Sequence, residues 1–167
     1  MASTDLVELV TAAQRGDAMA MQELLGLLTP YVGRLCGPIA LQDGPDATQE
    51  ALIAIFRNLG KLTEPAAVFG WARTIAVHAA VRVAKTAARG GGAALLEDVP
   101  AAGDPLLASD IRDVLDRLSP EHRAVLVLRD LEGLDERTVG ALLAVPEGTV
   151  KSRLSRARTS FRKAWVR

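Results

Sequence analysis

The strongest constraint on fold in this chain is the apolar spacing near its C-terminal end. Val150, Leu154, Ala157 and Phe161 recur at helical intervals, and the other faces carry Thr149, Lys151, Ser152, Arg153, Arg156 and Arg158. The spacing predicts one helix with a single buried stripe. Pro146 suits its first position, where the missing N–H costs nothing. Upstream, Asp135 is placed to cap a helix through Val139, Leu142 and Leu143, and Ala144-Val145-Pro146 breaks the pattern between the two. Helix, three-residue break and basic helix is helix-turn-helix geometry, in which the second helix enters the major groove of DNA. An amphipathic surface helix closing a small bundle would show the same spacing. Charge favours the DNA reading, because residues 148–167 hold seven bases and no acid. A basic, hydroxyl-bearing face suits phosphates and base edges.

The rest of the chain also reads as helix. Aromatics make up only 4% of 167 residues, so a core must come mostly from Ala, Leu and Val, and the periodic segments favour helices over strands. Asp5 can cap a first helix carrying Leu6, Val7, Leu9, Val10 and Ala13. Gly16-Asp17 then starts a second, with Met21, Leu24, Leu25 and Leu28 on one face. Thr29-Pro30 is expected to interrupt it, and the segment 31–41, with Gly33, Gly37 and Pro38, to be irregular in its middle. Next, Asp46, Gln49 and Glu50 share one helix face, with Leu52, Ile55, Phe56 and Leu59 expected in the core. Acids in a first turn that offset the helix dipole would account for that polar face equally well. Thr63-Glu64-Pro65 opens a loop reaching Phe69-Gly70-Trp71, and a helix with Arg73, Ile75, His78, Arg82, Lys85 and Arg89 follows. Phe69 and Trp71 suit core anchors as well as ring contacts to a ligand. Gly90-Gly91-Gly92 stops that helix. Ser109 or Asp110 is expected to cap the next, with Ile111, Val114, Leu115 and Leu118 apolar. Ser119-Pro120-Glu121 starts another whose inner face is Ala124, Val125, Leu128 and Leu131.

This reading gives an all-α chain of two small helical modules, residues 1–89 and 109–167, joined by a flexible Gly/Ala/Pro-rich linker at 90–108. The formal net charge is zero, but it is distributed in blocks. Residues 65–96 hold four bases and no acid, and residues 109–147 hold nine acids against five bases. Two basic blocks suit two contacts with one polyanion, or else two solvated faces. Cys36 is the only cysteine, which excludes an intrachain disulfide. No metal-ligand spacing, cofactor motif or catalytic constellation is present, and no signal peptide or membrane-length apolar run. A cytoplasmic protein that neither inserts in a membrane nor catalyses a reaction is expected.

Leu118-Ser119-Pro120-Glu121-His122-Arg123-Ala124-Val125-Leu126, Leu131-Glu132-Gly133-Leu134 and the run from Val145 to Leu154 together resemble region 4 of an extracytoplasmic-function sigma factor, a bacterial transcription initiation factor. Leu6-Val7, the run Ala13-Gln14-Arg15-Gly16-Asp17 and Pro45-Asp46-Ala47-Thr48-Gln49-Glu50-Ala51 resemble region 2 of the same family. The resemblance covers nearly the whole chain. It implies binding to core RNA polymerase, with Asp46, Gln49 and Glu50 on the β′ clamp helices and region 4 on the β flap. It implies that Thr149, Lys151, Ser152, Arg153 and Arg156 read a −35 box. It also implies that Thr63, Phe69, Trp71, Arg73, His78, Arg82 and Lys85 hold a melted −10 strand. An anti-sigma factor is the implied inhibitor.

The chain departs from the family at several positions. Phe69 and Trp71 stand one residue closer than usual, and Ala72 replaces a Leu. His78 and Arg82 stand where Asn and Asp are usual, while Gly140 and Ala144 sit where Ala and Gly are common. A strained turn at Ala144 is expected. These departures leave open a sigma-like decoy; a separate alternative is a stand-alone helix-turn-helix regulator that never meets polymerase, for which the 46–50 face is dispensable.

Overall fold

The computed structural model describes residues 3–90 and 105–166, and among these every regular element is helical. The first module contains α1 (Ser3–Gln14), α2 (Ala18–Ala40), α3 (Gly44–Asn58) and α4 (Val68–Gly90). The second contains α5 (Pro105–Asp116), α6 (Pro120–Leu126), α7 (Glu136–Leu143) and α8 (Glu147–Trp165). The expected linker lies outside the described residues between 91 and 104. Helix α5 begins at Pro105, earlier than a cap at Ser109 or Asp110.

Asp17 caps α2 as its position predicts, its carboxylate accepting from the Met19 and Ala20 amides at 3.0 and 3.1 Å. The expected break at Thr29-Pro30 does not occur. Helix α2 runs on through Pro30 and Pro38 because one apolar stripe, Leu24, Leu28, Val32, Leu35 and Ile39, stays buried along its length. Burying that stripe outweighs the hydrogen bond each proline removes. With the break gone, Ala18–Lys61 is long and apolar enough by composition to cross a membrane. Here α2 is instead the centre of the first module, with α1, α3 and α4 packed around it. The turn into α3 is tight. Leu41 takes a φ of 54°, and a Cβ on Gly44 would stand 3.3 Å from the Gly37 Cα.

Two expected core residues lie outside. Phe56 is 56% exposed, because the buried stripe of α3 is Ala47, Ala51 and Ile55. Leu131 is 70% exposed. After α6 the chain makes a five-residue π turn, Val127–Leu131, closed by the Glu132 amide on the Val127 carbonyl at 2.9 Å. The extra residue per turn rotates Leu131 out while Val127 and Leu128 stay buried.

The two modules share one continuous core that runs from α2 and α4 into α6. Arg123 of α6 is 6% exposed, and its Nε donates to the Ile39 carbonyl of α2 at 2.8 Å. Its Nη1 donates to the Leu115 and Leu118 carbonyls. Three carbonyls thus satisfy the guanidinium, as a buried charge requires, and burial holds its pKa below the ordinary value.

Candidate nucleic-acid interface

The C-terminal helix pair forms as the sequence predicts. Asp135 caps α7, its carboxylate accepting from the Thr138 amide at 2.7 Å. Ala144 then takes the left-handed conformation, φ 56° and ψ 44°. The Val145 amide donates back to the Gly140 carbonyl at 2.9 Å, the closing bond of a helix C-terminus. Gly140 makes the turn possible, since a Cβ there would lie 2.8 Å from the Val145 carbonyl oxygen. Helix α8 leaves this turn with Val150, Leu154 and Ala157 buried.

Of the five α8 residues expected to read DNA, Lys151, Ser152 and Arg156 are exposed and Thr149 is half-buried. Lys151 has acids at 3.7 Å (Glu136) and 3.9 Å (Glu147), both loose surface pairs. Arg153 faces inward. It is half-buried against Glu121 and His122 and lines a cleft of about 500 Å³ between the modules, with His78, Arg82, Lys85 and Arg89 of α4 opposite.

The residues expected to hold a −10 strand fall in two groups. Thr63 is exposed in the loop before α4. Phe69 packs edge-on against Tyr31, ring centroids 5.3 Å apart, and Trp71 is half-buried against the core. The three cations of α4 in this set, Arg73, Arg82 and Lys85, each meet a partner. Arg73 lies 3.8 Å from Glu132, which also accepts the Tyr31 hydroxyl at 3.1 Å. Burial, then the Glu132 charge, raises the Tyr31 pKa. Arg82 pairs with Glu50 at 3.0 Å, and Lys85 with Glu121 at 2.7 Å. Burial pushes the Glu121 carboxyl up, but the hydrogen bond and charge of Lys85, with Arg153 behind, bring it net below its ordinary value. His78 Nε2 lies 2.6 Å from the Leu142 carbonyl. A carbonyl only accepts, so this nitrogen carries the proton.

Sequence reasoning missed Gln14, whose Nε2 donates to the Leu59 and Leu62 carbonyls at 3.0 and 2.8 Å and pins the loop that carries Thr63 to α1. It also missed Tyr31, Glu121, Arg123 and Glu132 as the residues that join the modules. The signal was present in the charge blocks, because the acids of 109–147 meet the bases of 65–96 in space.

Asp46, Gln49 and Glu50 do share an exposed face of α3, beside a groove of about 550 Å³ against α4. Ile53 and Phe56 extend the same side, 43% and 56% exposed. Cys36 is fully buried with its Sγ 3.6 Å from the Ala76 carbonyl, and burial pushes its thiol up to about 11, so it packs rather than reacts. Among the described residues no three His, Cys, Asp or Glu side chains come together to hold a metal ion.

The geometry defines a two-module helical protein with a helix-turn-helix and two basic helices. Residues 108–161 match the family described as sigma-70, region 4. The chain is 33% identical over 157 residues to the ECF RNA polymerase sigma factor SigM of Mycobacterium tuberculosis, covering 90% of this chain and 80% of SigM. It is 37% identical over 131 residues to the ECF sigma factor SigE of Mycolicibacterium smegmatis, covering 72% of this chain but only 51% of that longer protein. In fold it is similar to the sigma factor RpoE of Bartonella quintana, solved in complex with the anti-sigma factor NepR, at a TM-score of 0.68 and 20% identity over 86% of this chain and 94% of that one. It is also similar to CnrH, solved with the cytosolic domain of CnrY, at a TM-score of 0.65 and 18% identity over 95% of each chain. The chain belongs to the extracytoplasmic-function family of RNA polymerase sigma factors, which are transcription initiation factors.

Proposed function

We propose that this sigma factor docks on core RNA polymerase through the exposed side of α3, around Asp46, Gln49 and Glu50, with Ile53 and Phe56 as its apolar margin. Region 4 adds a second contact at the β flap. Ser152 and Arg156 on the outer face of α8, with Thr149 beside them, read a −35 element in the major groove, and Lys151 holds its phosphates. The 62–67 loop and α4 hold a melted −10 strand, in which a basic groove and ring contacts suit single-stranded DNA. Arg153 joins the α8 reading face only when the inter-module cleft is open. The two modules correspond to residues 1–89 and 109–167. An anti-sigma factor is the expected inhibitor, and the cytoplasm the expected compartment.

The observation that carries this reading is the turn built from Asp135, Gly140 and Ala144, which projects a basic, hydroxyl-bearing helix with only one face buried. The test is in vitro transcription with bacterial core polymerase on DNA upstream of the protein's own gene, with wild type beside Gln49→Ala/Glu50→Ala. Specific initiation that the double variant loses supports the assignment. A stand-alone regulator predicts that the double variant binds DNA as well as wild type and that neither binds core. One observation favours the decoy reading: His78 and Arg82, the residues that depart from the family, both bond within the protein. A decoy binds core tightly and gives no transcript.

A further inference from the structure

We propose that the DNA face of α4 is also a docking surface for this chain's own second module, so that the free protein closes on itself with Glu121 and Glu132 standing where strand phosphates would lie. The inference rests on the reading of α4 as the −10 helix.

Two cations of α4, Arg73 and Lys85, are twelve positions apart, about 18 Å along the helix. Each meets a carboxylate from the second module, Glu132 after the π turn and Glu121 at the start of α6. Between them His78 donates to the Leu142 carbonyl of α7. Acceptors from three separate elements therefore meet α4 along this length, His78 and Lys85 on one side and Arg73 about a third of a turn away, a path that winds around the helix as a nucleic-acid strand can. The closed arrangement is built into the core. Arg123 is buried and takes one of its three carbonyl partners, Ile39, from the first module. Tyr31 reaches across to Glu132 in the same way.

Closure is incompatible with promoter engagement. Boxes one and a half duplex turns apart are separated by roughly 50–55 Å, whereas α4 and Arg153 of α8 here face each other across a single cleft of about 500 Å³. A strand on Arg73 and Lys85 must displace Glu132 and Glu121, and displacing them frees the second module to reach the distant box. Opening and promoter binding are thus the same competition.

The full chain tests this by small-angle X-ray scattering and by fluorescence anisotropy with a labelled single-stranded dT12 at low salt. Wild type is expected to be compact, with a radius of gyration of about 15 Å. Glu121→Gln/Glu132→Gln is expected to expand and to bind dT12 about tenfold or more tighter. Glu8→Gln/Glu23→Gln, which removes the same charge from two exposed sites on the first module, is expected to do neither. Nitroxides at Lys61→Cys and Ser155→Cys, both exposed positions, leave the acids intact and spare the buried Cys36; their separation is expected to lengthen when dT12 is added. A wild type already expanded toward about 25 Å would overturn closure. A Glu121/Glu132 variant matching the control in both measurements would overturn the phosphate substitution. If the double variant fails to fold, an unchanged nitroxide distance on strand binding would overturn it instead. Expansion without any gain in strand affinity would refute α4 as the strand-binding helix and leave closure standing.

Discussion

Gly140→Ala and Ala144→Gly together restore what is common in the family, and the structure predicts opposite effects for the two changes. Ala144 sits at φ 56° and ψ 44°, where an L-residue costs about 1–2 kcal/mol. Glycine removes that strain but adds about 0.4–1 kcal/mol of unfolded-chain entropy. Ala144→Gly should therefore stabilise by roughly 0.5–1 kcal/mol, about 1–4 °C in Tm for a chain of this size. Gly140→Ala would gain about 0.5–1 kcal/mol of helix preference. It would also place a Cβ 2.8 Å from the Val145 carbonyl oxygen, a backbone atom that must shift, with the Glu147 amide in ordinary contact at 3.6 Å. Overpacking of that kind costs about 1–3 kcal/mol, which leaves a net loss of roughly 1–2 kcal/mol. Because both residues belong to one turn, the double variant should lose less than the sum of the singles, since a glycine at 144 lets Val145 move. Urea unfolding of the four proteins measures all three quantities. A neutral or stabilising Gly140→Ala would refute the close-approach reasoning, and a destabilising Ala144→Gly would refute the strain.

Other predictions follow from the site. Arg156→Ala should cost about 1–3 kcal/mol in promoter binding and relax −35 specificity, read by competition between matched and mismatched duplexes, whereas Lys151→Ala should weaken all duplexes alike. Gln14→Ala orphans the Leu59 and Leu62 carbonyls, at about 1–2 kcal/mol of stability. Open-complex formation in permanganate footprinting should fall with it, while core binding stays intact. Acidification should loosen the fold. Burial and then the Arg153 charge hold the His122 pKa below 6.5, so its contribution is complete above pH 6.5 and declines as the pH falls toward the folded value. Glu121, net lowered against Lys85, contributes above about pH 4.5 and is lost as the pH falls through its folded value. The two act in the same direction: a urea midpoint at pH 5 equal to or above that at pH 7.5 would contradict the first, and a midpoint that does not fall further as the pH drops below about 4.5 would contradict the second.

Most of the helices were legible because their signals are local: Asp17, Ser119 and Asp135 cap where the sequence places them. What could not be read depends on packing. Pro30 looks like a break until the burial of Leu24, Leu28 and Val32 on either side is known. Phe56 and Leu131 look like core until the stripe of α3 proves to be alanine and the π turn shifts the register. Within the site, residue types were legible but orientation was not. Arg153 and Arg156 are three positions apart on one helix, and only the placement of α4 turns one toward the cleft. The acidic and basic blocks were visible as composition, yet pairing between them is a tertiary fact.

That pairing also bounds how firmly the chain can close. The Lys85–Glu121 and Arg73–Glu132 pairs are partly exposed, and pairs of that kind contribute about 1 kcal/mol or less each. With the Tyr31 and Arg123 bonds across the same interface, the polar contacts alone give a closed preference of about 2–3 kcal/mol, and the apolar core shared between the modules adds to it. At most about one molecule in 30 to 150 is then open. A partner that binds only the open form then loses the same factor in apparent affinity. Core polymerase need not lose all of it. Asp46, Gln49, Ile53 and Phe56 are accessible in the closed form, and only Glu50 is tied to α4, through Arg82. Docking on α3 that takes Glu50 would release Arg82 at the mouth of the cleft, adding a positive charge to the face a DNA strand must reach. Core binding would thereby bias the chain toward opening before any promoter is engaged. By the same linkage core affinity should rise modestly in Glu121→Gln/Glu132→Gln, and promoter affinity should gain more in the free chain than in the assembled holoenzyme, which core binding has already biased toward the open form.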